Sequence, residues 1–196
     1  GNMFSLEGSS DDAAADTAPP GPDISFSVDL DRLWVSQDQA IQGVKGTLVR
    51  TAGRWRAVKV SGQVGDGKAL NVVIEPGPDG GRLLNIDGED AGATLRTLGY
   101  YDNMAGGTLK ISGIFEDRIE GSPLRGRVSV RDFRIVRAPT LAKLVGIVSL
   151  TGIVDALQGP GLGFSEMEVP FTRNGGVLTL TDARVTGASL GLTAEG

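Results

Sequence analysis

From Asp23 onward, apolar and polar positions alternate. Ile24, Phe26, Val28 and Leu30 share one parity, and Leu33 and Val35 resume it after a one-residue slip. A period of two puts successive side chains on opposite faces of a strand, so this segment predicts a strand with a bulge or bend near Asp31. Shorter runs follow at Val58 and Val60, at Leu70, Val72 and Ile74, at Leu109 and Ile111, and at Val128 and Val130. Glycine or proline punctuates nearly every gap. The double glycines of "GGRLLNI", "GGTLKI" and "GGVLTL" predict hairpin turns, each leading into a short strand. Their irregular spacing favours a meander over a solenoid. The pattern as a whole predicts about ten strands, mostly antiparallel, each with one apolar face.

Two segments depart from this alternation. In residues 90–104, "DAGATLRTLGYYDNM", Ala91, Leu95 and Leu98 stand at helical spacing behind Asp90, a suitable N-cap. Residues 140–161, "TLAKLVGIVSLTGIVDALQGPG", carry only Lys143 and Asp155 as charges. Thr140 can cap a helix after Pro139, and Gly159 with Pro160 ends it. Roughly 19 residues at about 1.5 Å each barely cover a hydrocarbon core of about 30 Å, and charges, glycines and hydroxyls interrupt them. Leu141, Leu144, Val145 and Val148 form one stripe, whereas Ile153 and Leu157 fall away from it, so two short helices bent near residues 149–152 fit better than one. These six residues are the candidates for helices that cover the sheet, with Leu144, Val148 and Ile153 against strand residues such as Val128 or Leu178. Lys143 and Asp155 are expected to stay wet. A helix lying on a membrane surface is the alternative.

Composition changes the picture in three ways. Thirty glycines with few aromatics suit many short strands joined by tight turns. The absence of Cys and His excludes disulfides, Cys nucleophiles, Ser-His-Asp triads and Cys/His zinc sites, and no catalytic residue, metal site or cofactor is expected. A formal net charge of −5 supplies no basic field for a phosphate backbone, so nucleic acid is not an expected partner. Residues 1–22, rich in Gly, Ser, Ala, Asp and Pro, read as a disordered linker or appended remnant ahead of a single domain at 23–196.

Charged clusters have ordinary explanations available. Asp87, Glu89 and Asp90 match a turn and helix cap and lack the spacing of an EF-hand loop. Arg125, Arg127 and Arg131 share strand parity and project from one face. They are candidates for anionic headgroups, and a solvated outer face would look the same. Trp34, Trp55, Tyr100 and Tyr101 suit core or edge positions as well as a membrane interface.

The ordered set Asp90-Ala91-Gly92, Gly106-Gly107, the run from Gly126 to Phe133, Ala138-Pro139 with its apolar segment, Phe164, and "DARVTGASLGLTAEG" resembles the C-terminal domain of AsmA-like bacterial envelope proteins, the YhdP-type branch in particular. The resemblance covers roughly residues 85–196; residues 23–84 match in strand rhythm only. It implies a mainly β fold: a curled, twisted antiparallel sheet forming a taco-like β-groove, with about three short helices capping or covering it. It also implies a periplasmic location within an inner-membrane-anchored protein of a Gram-negative bacterium, associated with phospholipid movement toward the outer membrane and with outer-membrane homeostasis. The expected partner is a phospholipid or another acyl-chain lipid, with the membrane reached through segments outside this chain. The sequence departs from the family in lacking an anchor and in stopping at "GLTAEG". The domain is therefore expected to be truncated, with an open last strand prone to edge-to-edge self-association.

Phe26, Val28, Leu30, Val58, Val60, Val72, Ile74, Leu109, Ile111, Val128, Val130, Leu178 and Leu180 are the candidates for the groove lining. The expected function is non-enzymatic lipid binding or conduction, and the alternative is a protein interaction or assembly module of the cell envelope.

Overall fold

The computed structural model describes residues 22–136, 161–187 and 191–194. Among these, the alternating segments form eleven strands: β1 Ile24–Trp34, β2 Ala40–Thr51, β3 Arg54–Val64, β4 Lys68–Pro76, β5 Arg82–Gly88, β6 Met104–Phe115, β7 Leu124–Ile135, β8 Leu162–Asn174, β9 Val177–Leu180, β10 Ala183–Thr186 and β11 Gly191–Ala194. They form one antiparallel sheet that does not close. Its order is β1-β2-β3-β4-β5-β6-β7-β8-β10-β11, and β9 pairs with β8. β8 is long enough to serve two partners, with residues 171–174 against β9 and residues 166–168 against β10.

Short connections make the meander. Gly80 and Gly81 lie in the β4–β5 turn, and Gly175 and Gly176 in the β8–β9 turn, as hairpin glycines should. Gly106 and Gly107 correct the third of these expectations, because they lie inside β6. There the register passes from Gly106↔Phe133 to Thr108↔Arg131, skipping Gly107 and Asp132, both of which have positive φ. A Cβ on Gly107 would stand 2.7 Å from the Phe133 Cβ, so the strands approach closely at this irregularity. The slip expected near Asp31 corresponds to one skipped pair in the β1–β2 ladder, Asp31 with Gly43, without a change of register. Leu30 pairs with Val44 and Leu33 with Ile41, while β2 carries a bulge between Gln42 and Lys45.

The helical spacing after Asp90 yields one short helix, α1, at Ala91–Thr97. The Asp90 carboxylate accepts from the Ala93 N–H at 2.8 Å, the capping bond expected of it, and the Thr94 hydroxyl donates to the Asp90 carbonyl at 2.7 Å. α1 lies flat on β6 because Gly92 has no side chain: a Cβ there would sit 2.4 Å from the Met104 carbonyl oxygen. Among the described residues α1 is the one α-helix, where about three were expected. The two helices expected at 140–158, with Leu141, Leu144, Val145, Val148, Ile153 and Leu157, lie outside the described residues.

Most of the buried apolar residues fall into three clusters. Ala91, Met104, Leu109, Val130, Phe133 and Ile135 gather beside α1, with Phe164 stacked on Phe133 at 5.3 Å between centroids. Val64, Leu70 and Ala93 form a second cluster, and Leu84, Leu124 and Phe171 a third.

Candidate functional site

Strand register decides which side chains share a face, because directly paired residues of antiparallel strands project to the same side. One row across the strands runs through Val28, Gly46, Val60, Val72, Ile86, Ile111, Val128 and Val169. A second runs through Phe26, Leu48, Val58, Ile74, Leu84, Gly113, Gly126, Phe171 and Leu180. A third runs from Leu30 and Val44 past the β2 bulge to Leu70, Gly88, Leu109, Val130, Met167 and Val185. All thirteen groove-lining candidates lie on this single face: twelve fall in these three rows, and Leu178 is placed one step further out by its pairing with Arg173. No polar side chain interrupts the three rows.

Burial along this strip is uneven. Val58, Leu70, Leu109 and Val130 are buried and Val60, Val72, Ile74, Ile111 and Val128 half-buried, whereas Phe26 and Leu30 on β1 and Leu178 and Leu180 on β9 are exposed. The strip is thus most covered beside α1 and in the middle strands, and most open along β1 and β9.

The sequence pattern missed the contributions of β2, β5 and β8. Leu48 stands beyond a bulge that breaks the β2 alternation, Leu84 and Ile86 follow the run Arg82-Leu83, and Met167, Val169 and Phe171 are separated by Glu168 and Pro170. Strict period-two counting through β8 would have found the last three.

The opposite face is polar. Arg125, Arg127 and Arg131 project there as their parity requires, and each meets a carboxylate: Glu116 at 3.8 Å, Glu168 at 3.5 Å and Glu166 at 3.0 Å. These three headgroup candidates are therefore not brought to the apolar strip. A shallow depression of about 530 Å³ over Gly113 and Gly126 on this face is lined by Leu83, Asn85, Ser112, Ile114 and two of the same arginines, Arg125 and Arg127.

One margin of the strip is closed by a buried ion pair that sequence reading did not find. The Arg82 guanidinium donates to both Asp117 carboxylate oxygens at 2.8 Å and to the Trp55 carbonyl at 2.9 Å, and its carbon lies 4.2 Å from the Phe115 ring centroid. Both side chains are under a tenth exposed. The Arg82 guanidinium holds the Asp117 carboxyl below its ordinary range. From β3, Arg54 Nη1 donates to the Asp117 carbonyl at 3.3 Å.

The other candidates have structural roles or open positions. Glu89 accepts from the Ala69 N–H, Trp55 packs edge-on against Phe26, and Trp34 lies beneath the Arg32 guanidinium. Tyr100 is exposed, whereas Tyr101 packs beside the α1 cluster, where burial raises its phenol pKa. Among the described residues no group of three or more Asp or Glu side chains gathers to hold a metal ion, and no helix is long and apolar enough to cross a membrane.

Fold and site together define an open antiparallel β-sheet with one continuous apolar face that α1 covers in part. Comparison with protein-family models, curated proteins and solved structures finds no match to this chain.

Proposed function

We propose that this chain is a non-enzymatic lipid-binding or lipid-conducting segment, part of a periplasmic, inner-membrane-anchored AsmA-like protein of the bacterial envelope that handles phospholipid bound for the outer membrane. The uninterrupted apolar strip carries this reading. At about 4.8 Å per strand and about 6.7 Å between rows, it would measure roughly 45 Å by 20 Å if flat. An acyl chain spans half of a bilayer core of about 30 Å, so the strip has room for more than one.

A curled sheet is part of the same proposal. β3 and β6 are three strand spacings apart, roughly 14 Å in a flat sheet, yet Arg54 reaches the Asp117 carbonyl beyond the end of β6. Curling draws such strand ends together and makes the apolar face concave, forming a groove in which acyl methylenes leave water at about 0.8 kcal/mol each.

Face alternation provides the test. A photo-crosslinking benzophenone amino acid at Val60, Ile111 or Val128 is expected to capture lipid in cells, and at the adjacent outward positions Lys59, Ser112 or Ser129 to capture none. Lipid captured equally from both faces, or from neither, contradicts the proposal.

A second reading, an interaction or assembly module, is favoured by β1. This end strand leaves Ile24, Phe26, Leu30 and Leu33 each about two-fifths exposed and Trp34 59% exposed. An uncovered edge with an apolar face invites another strand. Light scattering is expected to show concentration-dependent dimers that Ser25→Lys with Ser27→Lys, on the polar face of β1, abolishes. A strict monomer at high concentration removes this reading.

A further inference from the structure

The two faces of the sheet treat their arginines differently. On the polar face Arg125, Arg127 and Arg131 are each matched to a glutamate. On the apolar face, the sheet's arginines lie along one margin only; the other margin carries Lys68, opposite Val64 and two residues before Leu70. Arg50 stands two residues beyond Leu48 and Arg173 two residues beyond Phe171, so both share the side of the apolar rows, and Arg56 is the extra residue of a β3 bulge in which it and Trp55 together oppose Arg50 at that same margin. Arg173 pairs in register with Leu124 and Leu178, which keeps it on that margin at the far strands.

Among the described residues, Arg56 and Arg173 have neither an ion-pair nor a hydrogen-bond partner, and Arg50 uses only its Nε, donated to the Gly53 carbonyl at 3.1 Å. The carboxylates nearby are otherwise engaged or turned to water. Asp117 is held by Arg82, Glu116 faces Arg125, Asp23 accepts from the Ala52 N–H, and Glu120 is exposed.

We propose that this margin is where the anionic headgroups of bound lipids lie, with Arg50, Arg56 and Arg173 receiving the phosphate oxygens and the acyl chains running from them onto the apolar rows toward α1. This rests on the lipid-binding reading and adds to it a polarity and a class of ligand, an acyl chain bearing a phosphate anion. Guanidinium groups suit that role because their N–H donors form a planar fork matched to phosphate oxygens and stay charged at any physiological pH. The opposite margin, beside α1, Met104 and Phe133, presents apolar side chains to the same strip.

The experiment compares four probes on the intact chain below their micelle concentrations: a lysophosphatidylglycerol, a monoacylglycerol of the same chain length, glycerol phosphate and inorganic phosphate. The lysophosphatidylglycerol is expected to bind about tenfold or more tightly than the neutral monoacylglycerol. Arg56→Gln with Arg173→Gln is expected to erase that preference while leaving monoacylglycerol binding unchanged. Arg127→Gln with Arg131→Gln, on the polar face, is expected to keep it. Equal binding of the two amphiphiles by the unaltered chain overturns the headgroup margin and leaves the lipid reading standing, as does a preference that survives the Arg56 and Arg173 changes. Glycerol phosphate or inorganic phosphate binding as tightly as the lysophosphatidylglycerol overturns it in favour of a free-anion site. Binding of neither amphiphile removes the lipid reading itself.

Discussion

Replacing Arg82 by Ala is expected to destabilise the domain by about 3–5 kcal/mol, because it leaves the Asp117 carboxylate buried without its partner. For a domain of this size that corresponds to a fall in Tm of about 10 °C. Arg82 also joins three elements, receiving the Trp55 carbonyl from β3 and Asp117 from the turn after β6 while sitting on β5 itself. Its loss therefore releases one whole margin of the sheet. Arg82→Lys is expected to recover only part of the loss, since an ammonium cannot reproduce the two-pronged bond. Arg82→Met with Asp117→Leu is expected to recover most of it, because no buried charge then remains.

The pH dependence follows from the direction of the Asp117 shift. Its folded-state pKa lies below the ordinary 3.8, so the unfolded chain takes up the proton first on acidification. The contribution is complete at neutral pH, where the carboxylate is ionised in both states, and is lost as pH falls through the depressed folded value. The stability gap between the native chain and Asp117→Asn is expected to be constant above about pH 5 and to shrink below about pH 4. Thermal melts across that range measure it. A gap that widens on acidification contradicts the assignment.

The second large effect concerns lipid rather than stability. Val60 is half-buried in the apolar strip, between Gly46 on β2 and Val72 on β4. A carboxylate there keeps its water and excludes roughly four methylenes of a bound chain, each worth about 0.8 kcal/mol, so affinity is expected to fall about a hundredfold. Lys59→Asp, one residue away on the opposite face, is expected to leave lipid binding unchanged. Val60→Ala, which stays apolar, is expected to weaken it only slightly. Equal losses in Val60→Asp and Lys59→Asp would point to general unfolding, which melting curves of the two variants identify directly.

Alternation made most of the sheet legible in the sequence because it is a local signal. A parity count was enough to place Phe26, Val58, Val72, Ile111 and Val128 on one face, and the broken parity at Asp31 fell at a skipped pair of the β1–β2 ladder, whose register does not change there. Asp90 was equally legible, since a cap acts on the amide three residues ahead. The failures were of two physical kinds. Gly106 and Gly107 look like a turn because a turn and a strand irregularity both call for positive φ, and only the partner strand, where Asp132 is distorted too, separates them. The other failures were contacts set by the way strands are laid side by side. Arg82 and Asp117 are 35 residues apart, and the glutamates that match Arg127 and Arg131 come from β8, 41 and 35 residues further on. No local pattern announces such pairs. The unmatched arginines of the apolar margin became visible only once the matched ones were accounted for.

Native mass spectrometry of the freshly purified chain, followed by solvent extraction and identification of whatever is released, tests the lipid reading most directly. The expected result is a mass increment equal to one or more acyl-chain lipids, retained by the native chain and by Lys59→Asp and depleted in Val60→Asp. A native chain that carries no lipid, and takes up none when incubated with phospholipid vesicles, contradicts it.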